Sequence, residues 1–413
     1  MKKKIFSLLA ILMIIFTAFA VTVQAEPVWW NSNWDYRMKL TFNNEVQTEN
    51  LTNFPVMVKL NTDNFDYSKC NNDGSDIRFI DNNGFDELNY EIELWNNTEN
   101  STIWVNVTQI NAESDTDFMY IYYGNSNAVD NQNPERVWND GYAGVWHMGE
   151  EGTNDRLDST LNNNDGDTFD FEGDEQVDGL FGYATEFNDA VAPAYLNNGE
   201  YINVTFDESF NTTEYTISAW YNKQLPSTGG WRSIAGKGDI RNFWSDFGLF
   251  TYRDDDTMYS IRQNETEAWK GVWSGHNGVV ENGTWVYAVA RYNGTSQTLT
   301  YANQTSDVLW KYLNNTFNGT IQRDTPFRIG TIDCVSDCFA GQIDEVRLST
   351  VPRSNNWIEA QYLSMNNEFI TFGDEVVNPF SIMQSAIMIL FIVFFIILIH
   401  KWLKKEFKNG VKK

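Results

Sequence analysis

Between residues 36 and 124 the chain alternates apolar and polar positions in short runs, among them "YRMKLTF", "FPVMVKL", "SDIRFI", "LNYEIELW", "TIWVNV" and "FMYIYYG". Successive side chains of an extended chain point to opposite faces, so a period of two predicts strands that bury one face. The interruptions "NNDG", "DNNG" and "NNTEN" recur about every 8 to 15 residues, which predicts a small β-sandwich and no long helix. After "DNQNPERVWNDGY" the same pattern resumes from Gly144 to Gly373, in "YTISAWY", "DFGLFTY", "TWVYAVARY", "TLTYANQ", "FRIG" and "GQIDEVRLS". Asn293-Gly294 joins two of these runs as a hairpin turn. Beyond Pro352, Ser354 is placed to cap a short helix with Trp357, Ile358, Gln361 and Tyr362 on one face, expected to close one end of the second sandwich.

The two ends break this pattern. Lys2, Lys3 and Lys4 precede an apolar run from Ile5 to Ala20 and then "VTVQA", with Val23 and Ala25 at the cleavage positions, as in a secretory signal over residues 1–25. Near the other end "FSIMQSAIMILFIVFFIILIH" carries no charge for about 20 residues, enough for a transmembrane helix over 381–400. The lysine-rich tail, 401–413, is then expected in the cytoplasm. The expected order is a first sandwich over 26–140, a second over 141–374, a linker over 375–380 and the membrane helix. This is an all-β fold of two tandem extracellular β-sandwiches on a single-pass cell membrane anchor.

Composition narrows the partners. The whole chain has a net charge of −27, and the lysines sit disproportionately at its ends, so the intervening region is more acidic still. That excludes nucleic acid as a natural partner and favours solubility, cation binding or life in high salt. Aromatic residues at 15% argue against disorder. Asn-x-Thr acceptors stand at Asn50, Asn96, Asn100, Asn106, Asn203, Asn211, Asn264, Asn282, Asn293, Asn303, Asn314 and Asn318, which predicts a glycosylated surface. Cys334 and Cys338, in "DCVSDC", are expected to form a small-loop disulfide, leaving Cys70 as a buried thiol or an intermolecular link.

The ordered pieces "VWHMGE", "LDSTLNNNDG", "DGLFGYATEFND", "YTISAWY", "GTWVYAVARYNGT", "FAGQIDEVRLS" and "RSNNWIEAQY" make the second region resemble the concanavalin A-like, laminin-G-like jelly rolls of prokaryotic surface proteins. The first region resembles the family known as domain of unknown function 2341, in "WDYRMKLTF", "LTNFPVMVKL", "DGSDIRFID" and "MYIYYGN". That family often precedes a laminin-G-like domain, and it implies a fold without a mechanism. The pairing, the many acceptors and the lack of a sortase signal at the C-terminus lean toward an archaeon. "LPSTG" at 225–229 lies far upstream of where such a signal works.

In "GQIDEVRLS", strict alternation sets Asp344 with Val346 and Leu348 toward the core, and Glu345 with Arg347 toward water. A core-facing carboxylate must be neutralised. The resemblance implies that Ca2+ could do so at Asp344 with Glu150 or Asp158; the alternative is hydrogen bonding to neighbouring backbone amides. His147 is expected to be packed inside a sandwich and His276 to lie in a loop. The "EIE" run at 91–93 puts two acids on one face, but with no partner motif for glycoside hydrolysis. Trp231, Trp244, Trp269 and Trp273 cluster between strands, and either stack on sugars or fill the core. The leading expectation is a noncatalytic adhesion protein recognising glycans or cell-envelope partners. A structural envelope protein without a discrete ligand and a polysaccharide hydrolase are the alternatives.

Overall fold

The computed structural model describes residues 29–188, 199–224, 231–239, 244–252, 257–262, 270–274, 282–303, 309–314, 324–331 and 338–410. The expected signal at 1–25 lies outside them. In chain order the first strands are β1 (Tyr36–Phe42), β2 (Leu51–Asn61), β3 (Arg78–Asp81), β4 (Glu87–Leu88), β5 (Tyr90–Leu94), β6 (Asn100–Ile110) and β7 (Phe118–Tyr123). A short helix, α1 (Pro134–Val137), leads to β8 (Tyr142–Trp146), β9 (Gly166–Phe169), β10 (Gln176–Asp178), β11 (Tyr183–Phe187), β12 (Tyr201–Val204), β13 (Tyr215–Lys223), β14 (Trp231–Asp239) and β15 (Trp244–Tyr252). There follow β16 (Thr257–Arg262), β17 (Lys270–Trp273), β18 (Trp285–Tyr292), β19 (Ser296–Asn303), β20 (Leu309–Asn314), β21 (Phe327–Ile329) and β22 (Gly341–Ser349). Helix α2 (Asn355–Met365), β23 (Ile370–Val377) and helix α3 (Pro379–Gly410) complete the described chain.

Both predicted sandwiches form. The first packs the sheet β23-β1-β7-β3-β4 against the sheet β2-β6-β5. In β2, alternation sends Phe54, Val56, Val58 and Leu60 into its core and leaves Met57 and Lys59 on the other face. The second packs β10-β11-β22-β13-β18-β19-β20, with β8 also paired to β22, against β17-β16-β15-β14-β21-β12-β9. Ile217, Ala219 and Tyr221 of β13 and Ile343, Val346 and Leu348 of β22 fill its core. The Asn293-Gly294 turn joins β18 to β19, with Gly294 at φ +82°, in the region that glycine tolerates best.

The domain boundary differs from the sequence expectation. Strand β23, which includes residues 375–377 of the expected linker, returns to the first sandwich and pairs along β1, from Tyr36↔Val377 to Phe42↔Ile370. The first sandwich is thus discontinuous, and the second is inserted between its strands. Helix α2 also sits elsewhere than expected. Ser354 caps it by accepting from the Trp357 amide at 3.0 Å, but Trp357 and Ala360 pack into the first core while Ile358, Tyr362 and Met365 pack between the sandwiches. The helix is a wedge in the seam rather than a lid on one end.

Helix α3 leaves from the first sandwich rather than from the second. The Asn378 side chain donates to the carbonyls of Ser32 and Trp34, and its backbone amide donates to Asp35 O. Ser381 Oγ donates to Asp35 Oδ1 at 2.6 Å. From Met388 to Ile399 every side chain of α3 is apolar and exposed. Among the described residues, no helix is long and apolar enough to cross a membrane.

Candidate functional site at the seam between the sandwiches

The outer face of β2-β6-β5 meets the outer face of the β22-β13-β18 region. Because β5 alternates, Tyr90 and Ile92 face the first core, while Glu91 and Glu93 face the seam. Trp104 of β6 faces the same way, beside Trp138, Trp220 and Tyr287. Four carboxyls, of Glu91, Glu93, Asp344 and Glu345, are enclosed here with the His147 imidazole and the Arg347 guanidinium.

A bulge in β22 puts the last of these acids in place. Ser218 pairs with Arg347 and Trp220 with Asp344, so Ala219 faces two residues of β22, and Glu345 adopts φ +53°. At the same point the other flank of β22 changes partner, from β11 at Ile343 to β8 at Val346. The extra residue resets the alternation. Ile343, Val346 and Leu348 enter the core together, whereas Asp344, Glu345 and Arg347 are buried toward the seam. The expectation that Asp344 shares a face with Val346 and Leu348, with Glu345 and Arg347 in water, is therefore corrected. A strict period of two fails across a bulge.

His147 is the hub of the cluster. Its Nδ1 lies 2.6 Å from Glu345 Oε1 and 3.6 Å from Glu93 Oε2, and its Nε2 lies 3.3 Å from Glu91 Oε2. Trp138 Nε1 and Ser159 Oγ each donate to Glu91 at 2.6 Å, and Trp104 Nε1 donates to Glu93 Oε2 at 2.7 Å. Arg347 donates through Nε and Nη2 to Glu345 Oε2, and its guanidinium lies 4.2 Å from the Trp104 ring and 4.7 Å from that of Trp138.

Burial alone would lower the His147 pKa, but the charges of Glu345, Glu91 and Glu93 outweigh it and hold the ring well above its ordinary value. For Glu345 burial acts upward, and His147 with Arg347 overcome it, bringing the carboxyl down to about 2. Glu93 and Asp344 are pushed well above the carboxylate range by burial and then by the Glu345 charge. A Glu345 carboxylate held between His147 and Arg347 therefore sits beside two carboxyls that resist ionisation. Among the described residues, Glu93, His147 and Glu345 form the group that could hold a metal ion, their ligating atoms lying within 4.8 Å of one another.

At the rim of the seam a cleft of about 240 Å³ opens between the sandwiches. Lys59, Asn96, Glu99 and Asn100 line it from the first, and Asp178 and the 41% exposed Tyr183 from the second. Thr102 Oγ1 donates to Phe181 O beneath it, and Leu180 N donates to Asp344 Oδ2 at 3.2 Å. The cleft floor is thus tied to the buried cluster.

The expected calcium ligands do not converge. Asp158 accepts from the amides of Val145, Thr160 and Asn164 and from the Thr160 hydroxyl, all within 2.9 Å, so it organises its own loop. Glu150 accepts from Leu157 N at 2.8 Å, and Asp344 belongs to the seam. Of the tryptophans, half-buried Trp231 packs 4.7 Å from the Tyr252 ring, and Trp273 on edge strand β17 is 45% exposed. Trp269 and the Trp244 side chain lie outside the described residues, as do Cys334, Asn264, Asn318 and the Asn314 side chain. Cys338 is buried. The half-buried Cys70 thiol donates to Tyr67 O, and burial pushes its pKa up to about 12.

Asn50, Asn100, Asn282 and Asn293 are exposed, and Asn96, Asn203, Asn211 and Asn303 half-buried. Asn106 is 7% exposed and its Nδ2 donates to the carbonyls of Arg136 and Val137. A glycan cannot be carried there in the folded chain, because α1 covers that position of β6. The sequence offered one signal for the cluster, the "EIE" pair, but nothing local linked it to His147 or to a bulge in β22.

Two family models match the chain, in the expected order. The domain of unknown function DUF2341 matches residues 73–171, and the concanavalin A-like lectin/glucanases superfamily matches residues 196–359. The first match runs past α1 through His147, so both Glu93 and the histidine it faces fall inside it. No curated protein matches the chain. Solved structures similar to it include the binding domain of Paraclostridial Mosquitocidal Protein 1, at 14% identity over 54% of this chain and 52% of that one, with a TM-score of 0.41. The receptor binding domain of botulinum neurotoxin D is similar at 12% identity over 54% and 52%, with a TM-score of 0.39. Tailspike protein 2 from an Escherichia coli O157:H7 bacteriophage is similar at 11% identity over 46% and 26%, with a TM-score of 0.35. The chain spans about half the length of the first two.

Proposed function

We propose that this chain is a noncatalytic cell-surface binding protein that recognises carbohydrate in the cleft at the seam, held to the membrane by α3. The observation that carries this reading is the cleft itself. It combines one exposed aromatic ring, Tyr183, with the amides of Asn96 and Asn100, the ammonium of Lys59 and the carboxylates of Glu99 and Asp178. An apolar ring face with convergent hydrogen-bonding groups suits a sugar ring and its hydroxyls. At about 240 Å³ the cleft is smaller than a drug-sized pocket and has room for roughly one sugar unit. The His147–carboxylate cluster is enclosed, and none of its members lines the cleft, so the binding reading rests on the cleft residues alone.

A membrane anchor is supported by the apolar, uncovered side chains of α3 and the lysines that follow them. With α3 rooted on Asn378, the first sandwich lies nearer the membrane. The uncharged run from Pro379 to Ile399, of which side chains 382–387 lie outside the described residues, supports a span that the described residues alone do not make. Protease treatment of intact cells should remove both sandwiches and spare the tail; loss of the tail would overturn the orientation.

The binding reading is tested by a glycan array on the full chain in detergent. Binding to at least one glycan class should fall at least tenfold in Tyr183→Ala and in Asp178→Asn, and persist in Trp273→Ala. An array without any hit, or hits lost only in Trp273→Ala, would defeat the cleft as the binding site. Asn96 and Asn100 are themselves acceptors in this cleft, so mass spectrometry of their peptides is the companion measurement. A glycan attached there would make the cleft the seat of the chain's own sugar and overturn recognition in trans.

A further inference from the structure

The seam holds four carboxyls against one guanidinium and one imidazole, a surplus of acid taken out of water. Such a surplus is relieved by protons, as at Asp344, or by a cation, and the arrangement around His147 suits a cation. His147 turns Nδ1 toward two carboxylate oxygens and Nε2 toward a third, from Glu91. An imidazole that ligates a metal through one nitrogen donates its other N–H to a carboxylate in just this way, which sets the tautomer and aims the lone pair. Each of the other two candidate ligands also has an outer partner. Trp104 holds Glu93, Arg347 holds Glu345, and Trp138 with Ser159 fixes Glu91 in turn. Beside them Asp344 is fully buried, and its Oδ1 accepts no hydrogen bond.

We propose that Glu93 and Glu345, with His147 through Nδ1, bind one divalent transition-metal ion that displaces the Nδ1 proton, opens its 2.6 Å hydrogen bond to Glu345 and clasps the two sandwiches together. One imidazole and two carboxylates suit Zn2+ or a neighbouring first-row ion better than Ca2+, which prefers an all-oxygen shell. Glu93 comes from β5 of the first sandwich, and His147 and Glu345 come from the second, so the ion is a cross-link rather than a stabiliser of either part. Its place is behind the cleft floor, joined to it through Asp344 and Leu180 N. The clasp does not depend on the carbohydrate reading.

The full chain in detergent, stripped with chelator and dialysed, is titrated with Zn2+ alone and in a parallel experiment with Co2+, whose visible absorption reports nitrogen and oxygen ligation directly. Wild type should take up one equivalent of metal, develop the Co2+ band and melt at a higher temperature. Glu93→Gln keeps an acceptor for Trp104, and His147→Gln keeps a donor toward Glu91 while removing Nδ1. Each should weaken Zn2+ by more than the roughly 10- to 100-fold that loss of an outer partner causes, and abolish the Co2+ band. Should a variant fail to fold, the wild-type stoichiometry and Co2+ spectrum remain decisive. Wild type that takes up no equivalent, or variants that bind like wild type, would overturn the clasp and leave only exposed acids as adventitious ligands.

Discussion

Strand β22 has two buried faces that differ in kind. Toward the jelly-roll core it presents Ile343, Val346 and Leu348, and toward the seam Asp344, Glu345 and Arg347. Both are removed from water, yet they hold the structure differently. The inner face contributes area, a non-directional term worth about 1.5–3 kcal/mol per large side chain that tolerates a change of partner of similar size. The seam contributes direction. A salt-bridged Glu345 is favourable only while His147 and Arg347 stand where they are, so the seam rewards a single relative placement of the sandwiches. A buried ionic network of this kind is weak evidence for net stability and better evidence for register.

The comparison can be broken most sharply at Glu345. Glu345→Ala leaves Arg347 buried without its carboxylate and His147 with only its longer contacts to Glu91 and Glu93, and should cost about 3–5 kcal/mol, seen as a single lowered melting transition that involves both sandwiches. If only the second sandwich is affected, the seam does not couple them. On the opposite face Leu348→Ala should cost about 2–5 kcal/mol through lost burial and a cavity, and it should leave fluorescence from the Trp104–Trp138 cluster unchanged. A shift in that emission would show that the two faces are not independent.

A third prediction concerns an acid away from the seam. Burial, together with the nearby Glu175, raises the Glu200 pKa to about 7, although its Oε2 accepts from Asn188 N at 2.5 Å. The folded chain then holds this proton more tightly than the unfolded chain does, so stability is greatest below the unfolded value and falls as pH rises toward 7. With allowance for partial solvent screening the change is roughly 1–2 kcal/mol. Glu200→Gln should make that slope shallower in melting temperatures measured between pH 4.5 and 7.5, leaving the part owed to the other buried acids. An unchanged slope would place the titration elsewhere.

The smallest effect is expected at Asp344. Its carboxyl is already held far toward the neutral form, and an asparagine oxygen could still accept from Leu180 N, so Asp344→Asn should shift stability by less than about 1 kcal/mol. A loss of several kcal/mol would mean that Asp344 carries charge in the seam after all, as Glu345 does.

Alternation in the sequence was enough to read both sandwiches, the Asn293-Gly294 hairpin and the Ser354-capped helix, because each depends on neighbours a few residues apart. It was also enough to put Glu91 and Glu93 on one face of a strand. What covers that face was not readable. It depends on His147, some fifty residues onward, and on Glu345, some two hundred beyond that, and on a bulge that no run of residue types announces. The return of β23 to β1 was illegible for the same reason, since residues 375–377 were expected in a linker and nothing in "ITFGDEVV" names β1 as a partner. Strand pairing and sheet stacking are contacts between distant parts of the chain, chosen by which buried surfaces and charges fit when everything is assembled. Local periodicity thus determined the elements and their inner faces where no bulge intervenes, and only the tertiary structure decided that the outer faces of two sheets would close around a histidine and its carboxylates.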